Sequence, residues 1–233
     1  FTKKTHSGLE FVINDNGKEI NLYFTDPRNF GTVEIVNDKK KLDKELDKLG
    51  PDLFKTPFSK QDFHRRIENY ITKGTNKIVQ SRADKEIIKV LMEQTYQDGI
   101  GSGLGNYLGV EILYDAKISP YKKISEIYQD KKLVYQLAHS IKYIVKLSFM
   151  KANTGYLEDL DDSMSSFIKK LRNDIETNKN SEFNYHPDIV LTKDDKFKFN
   201  VYRQKTDPDN NPVQGDKIIS GRTTYWVPKV QTS

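Results

Sequence analysis

The sequence feature that most restricts the fold is a glycine-rich stretch, GIGSGLGN, at residues 99–106. Four glycines alternate with small or apolar residues, and segments with helical spacing of apolar residues lie on both sides, near residues 82–95 and 106–116. A dinucleotide-binding loop needs G-x-G-x-x-G directly after a strand, and a P-loop needs Gly-Lys-Ser or Gly-Lys-Thr. Neither pattern is present, so the sequence predicts a turn between two helices.

This turn has two interpretations. Backbone N–H groups at the start of a helix suit an anion, and glycine lets a phosphate group come close. Asn106, at the end of the stretch, either caps the second helix or donates a hydrogen bond to a phosphate. The alternative is a tight turn that only joins two packed helices, since glycine is common in turns.

Composition indicates a globular but polar chain and excludes several kinds of site. The 233 residues are 36% hydrophobic and 30% charged, and there is no cysteine. Disulfides, thiolate zinc sites and cysteine nucleophiles are therefore excluded. The net charge of +5, from 38 basic and 33 acidic residues, permits a nucleic-acid partner without requiring one. No apolar run approaches the ~20 residues of a membrane span.

Hydrophobic spacing divides the chain into a β-rich start, a helical middle and a β-rich end. Alternating apolar residues predict β structure at residues 8–36, with a third strand at residues 32–36. Helical spacing dominates residues 60–175. We expect strands again at residues 197–201 and 223–227, around a DPDNNP turn. The predicted helices lie near residues 38–49, 60–72, 82–95, 106–116, 130–150 and 163–176.

The sequence around the glycine turn resembles the helix–two-turn–helix signature of the formamidopyrimidine-DNA glycosylase/endonuclease VIII family. In that family a [DE]-Q pair closes one helix, G-[IVL]-G-N opens the next, and E-x-L-x-x-A-x-I-x-P follows. Here these read Glu93-Gln94, GLGN at residues 103–106, and EILYDAKISP at residues 111–120. Three further stretches are similar to family motifs in the expected order: DPRNFG at 26–31, LGPD at 49–52 and GRTTYWVP at 221–228.

The resemblance implies an α+β fold with four parts. These are part of an N-terminal β-sandwich domain (residues 1–50), a linker (51–60), a helix–two-turn–helix helical domain (61–195) and a C-terminal β-hairpin finger (196–233). The family's finger reads G-R-x-T-x-[FW]-C-P and carries four zinc cysteines, but this chain has none. It is therefore similar to the branch with a zincless finger, and no metal or other cofactor is implied. We expect the hairpin to be held by packing of Val201, Ile218, Tyr225 and Trp226.

The resemblance also implies which residues contact DNA. Asn106 and Arg222 would bind the phosphates beside the lesion, while Arg28 and Phe30 would enter the duplex from the opposite groove. Lys89, one position out of register, is the nearest match to a phosphate-binding lysine of many members. The alternatives are a solvated hairpin arginine for Arg222 and a core aromatic for Phe30.

Glu111 matches a family carboxylate that faces the active site from the second helix, and the resemblance gives it a supporting role in catalysis. Its alternative is a surface charge. Attack on the sugar C1′ belongs in this family to an N-terminal proline amine, assisted by a following glutamate. Neither has a match in this chain, so we expect both upstream of Phe1. The chain alone should then bind DNA weakly and excise nothing.

The function implied for the complete protein is that of a bifunctional DNA glycosylase/AP lyase of base excision repair, which removes oxidised bases through a Schiff base. Its partner would be double-stranded DNA with an oxidised base or an abasic site. We expect a monomer that acts inside the cell at DNA, in a nucleus, cytoplasm or viral factory, without a membrane. Two alternatives stay open: a non-catalytic binder of damaged or bent DNA with the same fold, and a helical interaction protein without a nucleic-acid partner.

Overall fold

The computed structural model describes residues 7–26, 31–94, 98–152, 162–177 and 186–232 of the chain. It divides into two compact units, Phe1–Lys44 and Glu45–Ser233. The fold is mixed α+β, with a helical core and a C-terminal hairpin in the second unit. None of the helices in the described ranges is long and apolar enough to cross a membrane.

The first unit is built on a β-hairpin. Strands β1 (Ser7–Asp15) and β2 (Lys18–Thr25) pair antiparallel, and Asn16 and Gly17 between them both have positive φ, as a two-residue hairpin turn requires. The predicted third strand at residues 32–36 is wrong. A strand exists only through hydrogen bonds to a neighbour, and within the described ranges this segment has no strand partner.

Helix α1 (Lys39–Leu46) leads into the second unit, which holds all later elements. Helix α2 begins with a capping box, because Ser59 Oγ accepts from the backbone N of Asp62 (3.0 Å) and Asp62 Oδ2 accepts from the backbone N of Ser59 (2.9 Å). The helices are α2 (Lys60–Thr72), α3 (Gln80–Ala83), α4 (Ile87–Met92), α5 (Asn106–Asp115), α6 (Ile124–Gln129), α7 (Lys131–Lys151) and α8 (Asp162–Glu176).

The core of the second unit lies between α2, α5 and α7. The segment at residues 51–60, predicted as a linker, belongs to this unit and contributes the buried side chains of Leu53 and Phe58.

Leu53 packs on Gly101, where a Cβ atom would lie 2.2 Å from Leu53 Cγ. Glycine at 101 is therefore required by close packing, while Gly103 has a φ of +95° that other residues rarely adopt.

The predicted strand at residues 197–201 is also wrong. The backbone N–H groups of Asn200 and Val201 bond to the buried carboxylate of Glu111, so they are not available to a neighbouring strand. The C-terminal hairpin pairs β3 (Gln214–Asp216) with β4 (Thr224–Trp226) instead, and the second of these matches the predicted strand at 223–227.

His186 joins the loop before the C-terminal segment to the start of the helical core. Its side chain is 1% exposed, and Nε2 donates to the carbonyl O of Leu53 at 2.7 Å. The ring meets Phe58 edge-on, with centroids 5.2 Å apart. Burial lowers the pKa of His186, and the nearby cations Lys142 and Lys146 lower it further, against the opposing effect of the Leu53 hydrogen bond.

This lowered pKa makes stability depend on pH. The unfolded chain takes up a proton on His186 below about pH 6.5, whereas the folded chain resists it. The free energy of unfolding should therefore fall as the pH drops below about 6.5, by up to ~1.4 kcal/mol per pH unit for this one group. Denaturant titrations of the wild type and His186→Gln test this, since every other titrating group is common to both. Equal slopes in the two proteins would contradict it.

Candidate nucleic-acid interface

Asn106 is the first residue of α5 and connects this helix to the C-terminal hairpin. Its Nδ2 donates to the carbonyl O of Thr223 at 3.0 Å. Gly105 occupies the N-cap position, so the interpretation of Asn106 as a cap is wrong. An amide nitrogen carries two hydrogens, and one of them is used here. The contact joins residues 117 positions apart in the chain. It brings the start of α5 next to Thr223, which directly follows Arg222.

The glycine turn before Asn106 is held on both sides by hydrogen bonds. The Gln94 side chain donates to Leu104 O and accepts from Gly103 N at 3.4 Å. On the other side, Ser102 Oγ donates to Gly50 O at 2.8 Å. These bonds fix the approach of the chain to α5, although the spacing between Gln94 and Asn106 is longer than the usual family interval.

Arg222 lies exposed on the hairpin, directly after Gly221, whose φ is +70°. Within the described parts of the chain no carboxylate pairs with its guanidinium. Lys217 adds a second cation on the same hairpin, and its Nζ donates to Thr223 Oγ1 at 2.7 Å. Sequence reasoning missed Lys217, because one lysine in a hairpin has no spacing signal.

The remaining predicted DNA contacts are Lys89, Arg28 and Phe30. Lys89 lies half-exposed on α4 and pairs with Glu86 at 2.9 Å, and within the described ranges no hydrogen bond or ion pair connects it to Asn106 or Arg222. Arg28 and Phe30 lie outside the described residues. The geometry therefore brings Asn106 into contact with Thr223, beside Arg222. The DNA contacts of Lys89, Arg28 and Phe30 stay predictions.

Glu111, five residues after Asn106 on α5, has no exposed surface, so its interpretation as a surface charge is wrong. Oε1 accepts from the backbone N of Val201 (3.0 Å) and of Tyr202 (2.9 Å). Oε2 accepts from the backbone N (2.9 Å) and Nδ2 (3.1 Å) of Asn200. Burial raises the pKa of Glu111, and these four donors oppose that rise by favouring the charged form.

The hairpin itself is held by a carboxylate together with apolar packing. Asp216 Oδ2 accepts from Trp226 Nε1 (2.6 Å) and from the Tyr121 hydroxyl (2.8 Å). The rings of Tyr121 and Trp226 meet edge-on at 5.5 Å. Of the four residues predicted to pack here, Val201 is fully buried and the others are partly buried: Ile218, Tyr225 and Trp226.

Two more side chains close the turns that flank the hairpin. Gln231 Oε1 accepts from the backbone N of Val227 at 2.7 Å, and its Nε2 donates to Ile118 O at 3.0 Å. The buried carboxylate of Asp207 accepts from the backbone N of Asn211 at 2.8 Å. In the described parts of the chain no three His, Asp or Glu side chains come together as metal ligands would.

Comparisons with known proteins agree on one family. A family model for the formamidopyrimidine-DNA glycosylase C-terminal domain matches residues 187–232. A formamidopyrimidine-DNA glycosylase of Prochlorococcus marinus (strain MIT 9215) is 30% identical over 97% of this chain and 62% of that protein. Its counterpart in strain MIT 9301 is 28% identical, over 97% of this chain and 63% of that protein. The chain thus spans less than two thirds of these curated relatives.

Two solved structures share the fold. The Lactococcus lactis formamido-pyrimidine DNA glycosylase bound to AP-site DNA has a TM-score of 0.56 and 22% identity, covering 100% of this chain and 67% of that one. MutM in complex with DNA containing carbocyclic 8-oxo-G has a TM-score of 0.61 and 20% identity, covering 100% and 68%. At these identities the similarity establishes the mixed α+β architecture.

The buried Glu111 carboxylate leads to a prediction about stability. In Glu111→Gln an NH₂ group replaces one acceptor oxygen and faces backbone donors, which leaves buried N–H groups without a partner. The free energy of unfolding should drop by about 2–5 kcal/mol. Amide hydrogen exchange at Val201 and Tyr202 should also accelerate.

Glu126→Gln is the matched control. Glu126 accepts from the backbone N of Lys123 at 2.9 Å at an exposed helix start, and glutamine serves equally well at that position. Its stability should change by less than about 1 kcal/mol. Unchanged stability and exchange in Glu111→Gln would show that the carboxylate does not hold the C-terminal segment.

Proposed function

The chain belongs to the formamidopyrimidine-DNA glycosylase family, and from this premise we propose that it forms the DNA-binding part of a bifunctional DNA glycosylase/AP lyase of base excision repair. The substrate is double-stranded DNA with an oxidised base or an abasic site. The activity is excision of the base through a Schiff base, followed by strand elimination.

The observation that supports this proposal is the contact between Asn106 and Thr223. The contact lies at the start of a helix, where backbone N–H groups and the helix dipole favour an anion. One amide hydrogen of Asn106 bonds to Thr223 O at 3.0 Å, and we assign the second to a phosphate oxygen. Arg222 directly precedes Thr223, and its planar guanidinium suits phosphate geometry.

The hairpin fits the proposed zincless finger. Val227 stands where the family motif has a cysteine, and it is fully buried with its backbone N bonded to Gln231. Asp216 holds Trp226 from the opposite strand. Hydrogen bonds and packing thus supply the support that coordinated zinc gives the common form, so the proposal requires no metal.

The catalytic steps are assigned by the family resemblance. A proline amine attacks C1′ of the damaged nucleotide, the base leaves, and the imine formed between amine and sugar permits elimination of the strand. The 233 residues match neither this proline nor its glutamate, so the contribution proposed for this chain is to hold and bend the duplex. Since Glu111 is buried against Asn200, Val201 and Tyr202, we assign it a positioning role within that task.

Alanine substitution tests the phosphate contacts. Asn106→Ala and Arg222→Ala should each weaken binding to an abasic-site duplex about tenfold or more, since a hydrogen bond to a charged group contributes ~1.5–3 kcal/mol. For Arg222→Ala the slope of log affinity against log salt should also fall by about 1. Fluorescence anisotropy at several salt concentrations measures both quantities.

Arg65→Ala is the charge-matched control, because Arg65 is an exposed arginine of α2 paired with Asp62. It should leave affinity and salt slope nearly unchanged. An equal loss in Arg65→Ala would indicate attraction to net charge alone. Unchanged affinity in both Asn106→Ala and Arg222→Ala would reject the proposed interface.

Borohydride trapping separates the glycosylase from the non-catalytic binder. Borohydride reduces the imine to a stable amine, so an enzyme that forms a Schiff base becomes covalently attached to abasic-site DNA. The product of the complete open reading frame should give this covalent band, and the 233-residue chain alone should bind without giving it. Binding by both proteins with no covalent band from either would support the non-catalytic alternative.

A further inference from the structure

The segment that Glu111 holds is strongly basic and aromatic. Residues 196–205 read KFKFNVYRQK, with four cations and no acidic residue. The cationic side chains are all exposed, and within the described ranges none forms an ion pair: Lys196, Lys198, Arg203 and Lys205. Such a run repels itself, so an anionic partner would stabilise it.

Aromatic rings form a connected patch between this segment and the start of α5. We define the aromatic patch as Tyr107, Phe197, Phe199 and Tyr202. Phe199 meets Phe197 at 5.5 Å, Tyr202 at 5.2 Å and Tyr107 at 5.8 Å between ring centroids. Arg203 lies over the Tyr202 ring at 5.3 Å. The rings thus fix each other's orientation while cations border them.

Two rings of the aromatic patch remain open to solvent, Tyr107 with 42% and Phe199 with 40% of their surface exposed. Exposed neighbouring rings lose the favourable burial that aromatic side chains normally contribute. Tyr107 directly follows Asn106, so the patch begins at the proposed phosphate contact. Its rings and cations therefore adjoin the proposed phosphate contact.

We propose that the aromatic patch binds unpaired nucleotides, so that the preferred substrate is DNA in which the duplex adjoins a single-stranded stretch. This inference rests on the proposed function. Bases of an unpaired strand offer faces that stack on Phe199 and Tyr107, and their phosphates neutralise the flanking lysines and arginine. In a fully paired duplex the bases stack on each other inside the helix. Only its sugar-phosphate backbone can then contact the aromatic patch.

Anisotropy titrations with three DNAs test the inference: a fully paired duplex, the same duplex with a central unpaired bubble, and the single strand. The wild-type chain should bind the bubble more tightly than the paired duplex. Phe199→Leu and Tyr107→Leu keep apolar bulk but remove the ring, so each should weaken bubble and single-strand binding about tenfold, which equals ~1.4 kcal/mol. Phe199→Trp retains a stacking face and should bind like the wild type.

Phe167→Ala is the control, since Phe167 is an exposed phenylalanine of α8 outside the aromatic patch, and it should bind all three DNAs as the wild type does. Paired-duplex affinity should change less than twofold in the leucine variants. If the leucine variants bind the bubble normally, or the wild type binds paired and bubble DNA equally, the inference is overturned while the proposed function stands. If the wild type binds none of the three DNAs, both fail.

Discussion

The buried carboxylate of Glu111 is the interaction on which the position of the C-terminal segment depends. It accepts four hydrogen bonds from Asn200, Val201 and Tyr202, and it has no exposed surface. A buried charge is tolerated only when its hydrogen bonds are satisfied, so the segment and α5 must meet in this one arrangement. Asn106 projects from the first turn of the same helix. One helix therefore sets the position of both the proposed phosphate contact and the aromatic patch.

The hairpin illustrates how a motif built on metal coordination can persist without its ligands. Coordinated zinc joins two turns through one strong centre, and its binding free energy is part of the folding free energy. Here a separate hydrogen bond stabilises each turn: Asp207 accepts from Asn211 before the hairpin, and Gln231 accepts from Val227 after it. Asp216 connects the strands to the Tyr121 hydroxyl. Each hydrogen bond contributes only ~1 kcal/mol, so several are needed where one metal sufficed.

The sequence predicts features that depend on neighbouring residues well. It predicts poorly those that depend on contacts between residues far apart in the chain. The turn before Asn106 and the helix after it were predictable, because glycine spacing and apolar periodicity act over a few residues. The strand expected at residues 197–201 was wrong because its alternation is equally compatible with a loop whose amides bond to Glu111, about 90 residues away. Helix α6 was missed, since six residues are too few to show a period. The resemblance identified Glu111, but only the structure shows what its carboxylate contacts.

Support by carboxylates also determines which conditions the hairpin tolerates. Burial acts to raise the pKa of Asp207, but the donors of Asn211, Asp209 and Tyr114 outweigh it and hold the pKa below its ordinary value. A carboxylate with a lowered pKa contributes stability above its unfolded pKa of about 3.9 and loses it as the pH falls through the folded value. Thiol oxidants have no target in such a hairpin, because the sequence has no cysteine. Its support fails in strong acid, well away from the near-neutral range in which His186 alters stability.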